Sequence, residues 1–185
     1  MPPNYTGLQN RTIALVGLMG AGKTTIGRRL ARELNMPFYD SDDEIIKASG
    51  RSVAGYFFDH GEEAFRDGER RVIERLISDQ PIILATGGGA FIPEKTRRIL
   101  NDKATTVWLK GDLDTLMKRV KRTDHRPLLQ VANPRAKMQE LMDVRYPIYA
   151  KAHITVPLVK GPHKRTLAAV IKALNAHNAA QKTDI

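Results

Sequence analysis

Gly17-Leu18-Met19-Gly20-Ala21-Gly22-Lys23-Thr24 matches the phosphate-loop pattern G-x-x-x-x-G-K-[ST] at every fixed position. Each residue type there has a physical reason. Glycines let the backbone turn tightly and come close to phosphates. Successive N–H groups then form an anion-binding concavity, and a following helix adds its positive end. Lys23 can reach β- and γ-phosphate oxygens, and the Thr24 hydroxyl is placed to ligate Mg²⁺. The chemistry indicated is the gripping of a nucleoside triphosphate and transfer of its terminal group.

Four further sets carry reactive types. Asp40-Ser41-Asp42 offers two carboxylates one residue apart, one to hold water around Mg²⁺ and the other to accept a substrate hydroxyl. The same residues also suit the N-cap of a helix at 43–49. Arg66 has Glu69 at i+3, which can orient it, although a surface cation is the ordinary reading. Gly87-Gly88-Gly89 loses much backbone freedom on folding, so either its N–H groups approach a ligand or it is a loose connector. Arg119, Arg122 and Arg126 lead into Pro127-Leu128-Leu129, in a polar stretch at 121–134 that reads as a mobile flap or a solvated loop. An arginine on a flap can reach a transferring phosphoryl group. Arg145 suits either a bidentate grip on a carboxylate or the C-terminal end of its helix, which Pro147 is expected to stop.

The elements that must position these residues alternate along the chain. Apolar runs at 12–16, 36–39, 82–85, 104–109 and 154–159 read as strands. Helical spacing covers 23–34, 62–79, 94–101, 112–121, 135–144 and 164–176. Such alternation predicts a parallel sheet with helices on both faces, with ligands beyond the carboxyl ends of the strands. The loops at 17–24, 40–42 and 87–89 all follow strands and should line one crevice. Residues 1–10 read as a flexible lead, 11–176 as one domain and 177–185 as a frayed tail.

Bulk properties narrow the class. The 185 residues contain no cysteine, which excludes disulfides, thiolate catalysis and cysteine-based zinc sites. No run approaches a membrane span, and Met1-Pro2-Pro3-Asn4-Tyr5 lacks the regions of a secretion signal, so a cytosolic, membrane-free protein is expected. The net charge of +10 is spread along the chain, often as i, i+4 partners such as Glu94 and Arg98. No nucleic-acid reader motif accompanies it, so nucleic acid is not expected as a partner. No long apolar stripe or heptad is visible, and a monomer is the default.

Taken in order, these motifs resemble the shikimate kinase family. Its pattern G-x-M-G-A-G-K-[ST]-T-x-G, D-[ST]-D, G-E-x-x-F-R-x-x-E, G-G-G, R-P-L-L and R-x-x-x-Y is met by Gly17 to Gly27, Asp40 to Asp42, Gly61 to Glu69, Gly87 to Gly89, Arg126 to Leu129, and Arg145 with Tyr149. The resemblance spans about residues 11–175. It implies a nucleoside-monophosphate-kinase-like P-loop NTPase fold. That fold is a three-layer α/β/α sandwich with a five-stranded parallel sheet of order 2-3-1-4-5. It implies transfer of the ATP γ-phosphoryl group to the 3-hydroxyl of shikimate, with Mg²⁺. Residues Gly20, Ala21, Gly22, Lys23, Thr24, Thr25, Arg122 and Arg126 would bind ATP, with Arg122 stacked on adenine and Arg126 closing over the phosphates. Asp42, Arg66, Gly88, Gly89 and Arg145 would bind shikimate, Phe57 and Phe65 would wall its pocket, and Lys23, Asp42 and Arg126 would be catalytic. Thr24, and Asp40 through water, would hold the metal. Residues 41–70 would form the acceptor-binding subdomain and 121–134 a lid. Two alternatives remain at this stage: a gluconate-kinase-like enzyme, and a nucleotide-binding regulatory module without catalysis.

Overall fold

In the computed structural model, which describes Tyr5, residues 7–121 and residues 127–183, the apolar run after Arg11 forms strand β1, Thr12–Val16. All five of its residues are buried. Successive side chains of a strand face opposite ways, so an unbroken buried run means that both sheet faces are covered. The other strands are β2 (Phe38–Asp40), β3 (Ile83–Ala85), β4 (Ala104–Lys110) and β5 (Ile154–Pro157). Every pairing is parallel and the order is β2-β3-β1-β4-β5. The expected sheet and its strand order are thus observed. Parallel neighbours need crossover connections, and helices supply them.

Those helices are α1 (Lys23–Leu34), α2 (Ser41–Ser49), α3 (Val53–Asp79), α4 (Glu94–Lys103), α5 (Leu113–Val120), α6 (Pro134–Tyr149) and α7 (His163–Thr183). On α1, Ile26, Gly27, Leu30, Ala31 and Leu34 are buried while Arg28, Arg29 and Arg32 are exposed, the pattern of a helix lying on a sheet. Gly27 is part of that fit, because a Cβ there would stand 2.7 Å from Cε2 of Phe38. The register sets Leu15 and Asp40 both opposite Ala85. The chain therefore leaves β1, β2 and β3 at the same edge, and the loops at 17–24, 40–42 and 87–89 meet there.

Four expectations are corrected. Helix α2 begins at Ser41 rather than 43, because the Asp40 carboxylate caps it by accepting from the Asp42 amide at 3.0 Å. Helix α3 begins at Val53, where the Ser52 hydroxyl accepts from the Gly55 amide, and it is interrupted at Gly61 (φ 79°, ψ 173°). Pro147 does not stop α6, which runs on to Tyr149. A proline inside a helix costs about 3 kcal/mol. Here it sits in the last turn, and Tyr149 behind it is fully buried. Burying a large side chain contributes about 1.5–3 kcal/mol. The Tyr149 and Tyr146 rings also pack on Trp108 with centroids 5.9 and 4.8 Å away, which adds about 0.5–1.5 kcal/mol per aromatic pair. The packing outweighs the proline. Lastly, α7 continues through 177–183, the segment expected to fray. His177 stacks near His153 at 5.8 Å, and Ala179 to Lys182 are good helix formers. Among the described residues, no helix is long and apolar enough to cross a membrane.

Candidate active site

The loop after β1 takes backbone shapes that only glycine adopts without strain. Gly20 (φ 81°) and Gly22 (φ 87°) lie in the left-handed region. The Ala21 amide bonds to the Leu18 carbonyl at 3.2 Å, which closes the turn. The first bond of α1 runs from the Ile26 amide to the Gly22 carbonyl at 2.8 Å. The amides of Thr24 and Thr25 precede that bond, and helix geometry turns them toward the loop. Lys23 Nζ donates to the carbonyls of Gly17 and Leu18 at 2.7 and 3.0 Å, so its ammonium lies folded over the loop it belongs to.

Asp40 performs both tasks that its sequence position allows. One carboxylate oxygen caps α2, and the other accepts from the Thr24 hydroxyl at 2.7 Å. A hydroxyl and a carboxylate at the head of α1 are hard oxygen donors of the kind Mg²⁺ takes. Among the described residues there is no group of three or more His, Cys, Asp or Glu that could hold a metal unaided. The donor set therefore fits an ion that arrives with phosphate and water rather than one caged by protein.

The triple glycine is tied down rather than loose. The Gly87 amide donates to the buried Ser41 hydroxyl at 2.9 Å. The amides of Ala90 and Ile92 bond back to Gly87 and Gly89. Side chains crowd the first and third positions. A Cβ on Gly87 would lie 2.6 Å from Oδ1 of Asp42 and 3.1 Å from Oε1 of Glu69. A Cβ on Gly89 would lie 2.7 Å from the Arg66 guanidinium carbon. Close approach is thus the reason for Gly87 and Gly89, and the groups that approach are two acids and a cation.

Arg66 donates to Glu69 at 2.6 Å and stands over the rings of Phe57 and Phe65 at 5.6 and 5.2 Å. Those rings stack at 4.3 Å between centroids. Glu69 is 1% exposed. Burial pushes its carboxyl above the usual carboxylate range and Asp42 adds to the push, against the pull of Arg66 and Arg145. From α6, Arg145 reaches the Gly88 carbonyl at 3.4 Å, and the Tyr149 hydroxyl donates to the same oxygen. Burial lifts the Tyr149 phenol to about 12, so it remains a donor. Arg145 therefore serves the glycine turn and not the end of its own helix. Arg66 and Arg145, with Glu62, Glu63, Ile92 and Pro93, line a cavity of about 510 Å³. That is room for a small acid, with two guanidinium groups to receive it.

The structure thus brings together the loop at 17–24, Asp40, Asp42, Arg66, Gly87 to Gly89 and Arg145. Arg122 and Arg126 lie outside the described residues. Glu69 orients Arg66, as its i+3 spacing suggested. Two participants were not singled out as site residues from sequence: Ser41 and Tyr149. Both had a signal, since each lies inside a motif, but its role depends on what lies opposite in the fold.

A family model described as Shikimate kinase matches residues 19–175. The chain belongs to the shikimate kinase family. A shikimate kinase of Caulobacter vibrioides (strain NA1000 / CB15N) is 49% identical over 172 residues, which cover 93% of this chain and 86% of that protein. The solved structure of a shikimate kinase from Acinetobacter baumannii in complex with shikimate matches at a TM-score of 0.85 and 37% identity, over 90% of this chain and 93% of that one. A gluconokinase from Sinorhizobium meliloti 1021 matches at a TM-score of 0.67 and 19% identity, over 95% of this chain and 97% of that one, a likeness of fold alone. As a shikimate kinase, the chain is an ATP-dependent phosphotransferase.

Proposed function

We propose that the crevice at the carboxyl ends of β1, β2 and β3 carries out the family reaction, transfer of the ATP γ-phosphoryl group to the 3-hydroxyl of shikimate, with the residues in the following roles. The observation that carries this reading is the convergence of Arg66 and Arg145 on one cavity at a glycine turn shared with Asp42. The two guanidinium groups and the Gly89 backbone take the acceptor carboxylate. Asp42 and Gly88 hold the ring hydroxyls, and Phe57 and Phe65 form the apolar wall. The loop amides from Gly20 to Thr25 and Lys23 hold the triphosphate. The 3-oxygen forms a bond to the γ-phosphorus as the bond to the bridging oxygen of ADP breaks, and the hydroxyl proton passes late to Asp42. Thr24, and Asp40 through water, hold Mg²⁺, which when bound neutralises charge on the phosphates. Arg126 over the phosphates and Arg122 on adenine complete the reading, as do a lid at 121–134 and an acceptor subdomain at about 41–70. These assignments rest on the family pattern.

Much cationic charge is held in pairs along single helices, such as Arg70 with Glu74 at 2.7 Å and Arg98 with Glu94 at 2.6 Å. This supports a solvated surface over a nucleic-acid site. The reading takes the protein as a monomer in the cytosol.

ADP release measured with shikimate, with gluconate and with no acceptor tests the function. Release that depends on shikimate is the expected result, and release that ignores it rejects the reading. The clamp has its own test. Arg66→Ala and Arg145→Ala should each raise the KM for shikimate about 10- to 100-fold, since a hydrogen bond to a charged group contributes about 1.5–3 kcal/mol. The KM for ATP should hold. Ordinary shikimate affinity in both variants would remove the clamp from the mechanism.

A further inference from the structure

Helices α1 and α7 pack side by side. Their heads meet at the phosphate loop, where a Cβ on Gly22, the residue before α1, would stand 3.6 Å from the ring of His163, the first residue of α7. Their far ends are joined through the N-terminal lead. Gln9 donates to the Leu34 carbonyl at 2.5 Å, and a Cβ on Gly7 would meet Nδ2 of Asn178 at 2.8 Å. The two helices therefore run in the same direction, away from the loop.

Charge that is dispersed along the chain is gathered on this pair. Helix α1 has four lysines and arginines against one acid, Glu33, and α7 has four against none. The pair thus holds +7 of the net +10, which leaves +3 for the rest of the chain. Arg29, Arg32, Lys164, Lys172 and Lys182 are exposed, and among the described residues no acid forms a salt bridge with any of them. The placement does not serve the helices themselves. Cations in a first turn oppose the positive end of the helix dipole, yet Lys164 and Arg165 stand there with no acid in that turn. The field reaches the loop: burial, then the charges of Arg119 and Arg29, pushes the His163 imidazole below its ordinary value.

We propose that the exposed face of α1 and α7 is an electrostatic guide that raises the rate at which the polyanionic nucleotide finds the phosphate loop. The inference rests on the nucleotide reading of that loop. A surface of one sign raises the association rate of an oppositely charged ligand, and the gain falls steeply with salt. ATP and ADP carry several negative charges and shikimate carries one, so the guide favours the nucleotide. Arg32 and Lys172 act at range. Each lies nine residues beyond the first residue of its helix, about 14 Å at 1.5 Å per residue. Neither side chain bridges that distance to a phosphate in the loop. At about 10 mM ionic strength, however, the screening length of about 30 Å exceeds it.

The test is stopped-flow association of N-methylanthraniloyl-ADP with the parent enzyme and with the double variant Arg32→Glu, Lys172→Glu. At about 10 mM ionic strength the variant should associate about tenfold more slowly, as Coulomb's law gives for two such reversals at that range. The neutral pair Arg32→Gln, Lys172→Gln should associate about threefold more slowly, which keeps the test open if the reversals unfold the protein. The dissociation rate, kcat and the KM for shikimate should hold. At about 0.5 M salt the screening length falls to about 4 Å, and the rates of parent and variants should converge. The control is Lys103→Glu, Lys151→Glu, which makes the same change in net charge at exposed positions shortly before β4 and β5, at the edge of the sheet opposite the loop. It should stay within about twofold of the parent. Equal rates for parent and variants at low salt, an equal fall in the control, or a fall that persists at high salt would each overturn the proposal. A parent enzyme that binds no ADP would instead overturn the nucleotide reading itself.

Discussion

Asp42→Asn should lower turnover by about 10²- to 10⁴-fold, the range that a positioned general base contributes. The asparagine keeps the size and one acceptor oxygen but cannot take the hydroxyl proton. The KM for ATP should stay within a few-fold, because Asp42 faces the glycine turn and Glu69, whereas the loop carries the nucleotide. Stability is a weak competitor for the effect. Asp42 is one of three acids in the first turn of α2, and losing one such charge at a helix start costs about 0.3–1 kcal/mol. The kinetic loss corresponds to about 3–5 kcal/mol of barrier. Steady-state rates beside a melting curve separate the two. Turnover at the parent level in a folded Asp42→Asn protein would end the assignment of the base.

The second large effect is expected at Lys23. Lys23→Met preserves length and removes charge, and turnover should fall about 10²- to 10³-fold, as when one preorganised donor to a developing anion is removed. A further loss has a structural origin. Lys23 bonds to the carbonyls of Gly17 and Leu18, so the variant also frees two acceptors that shape the loop. ATP affinity should therefore drop together with the rate. Binding of shikimate in the absence of nucleotide should not change, since Arg66, Gly89 and Arg145 are reached from α3, β3 and α6. Single-turnover kinetics at saturating ATP distinguish the charge effect from the binding effect. A rate that recovers fully at high ATP would show that Lys23 only binds and does not stabilise the transferring group.

The two variants probe features that differ in how they could be read from the chain. The phosphate loop is contiguous, and its strand, turn and helix follow from apolar runs and glycines within some twenty residues, so Lys23 and Thr24 are legible at once. The strands and helices were legible for the same reason, and their strict alternation led to the parallel sheet. Errors fell where local and distant forces disagree. Pro147 is a helix breaker by its own chemistry, yet the aromatic cluster of Trp108, Tyr146 and Tyr149 holds α6 through it. Helix α2 starts two residues ahead of the expected 43 because the Asp40 carboxylate caps it at the Asp42 amide.

What the amino-acid order determined by itself was the loop, the alternation of elements and the edge of the sheet where ligands gather. The tertiary structure alone decided the pairings across that edge: Asp40 with Thr24, Ser41 with Gly87, Arg66 with Gly89, Arg145 and Tyr149 with Gly88, and Arg119 with Ala21. The reason is physical. Helix and strand tendencies act over a few residues, whereas these contacts join positions 16 to 98 apart and exist only once strand order and register have placed three loops side by side.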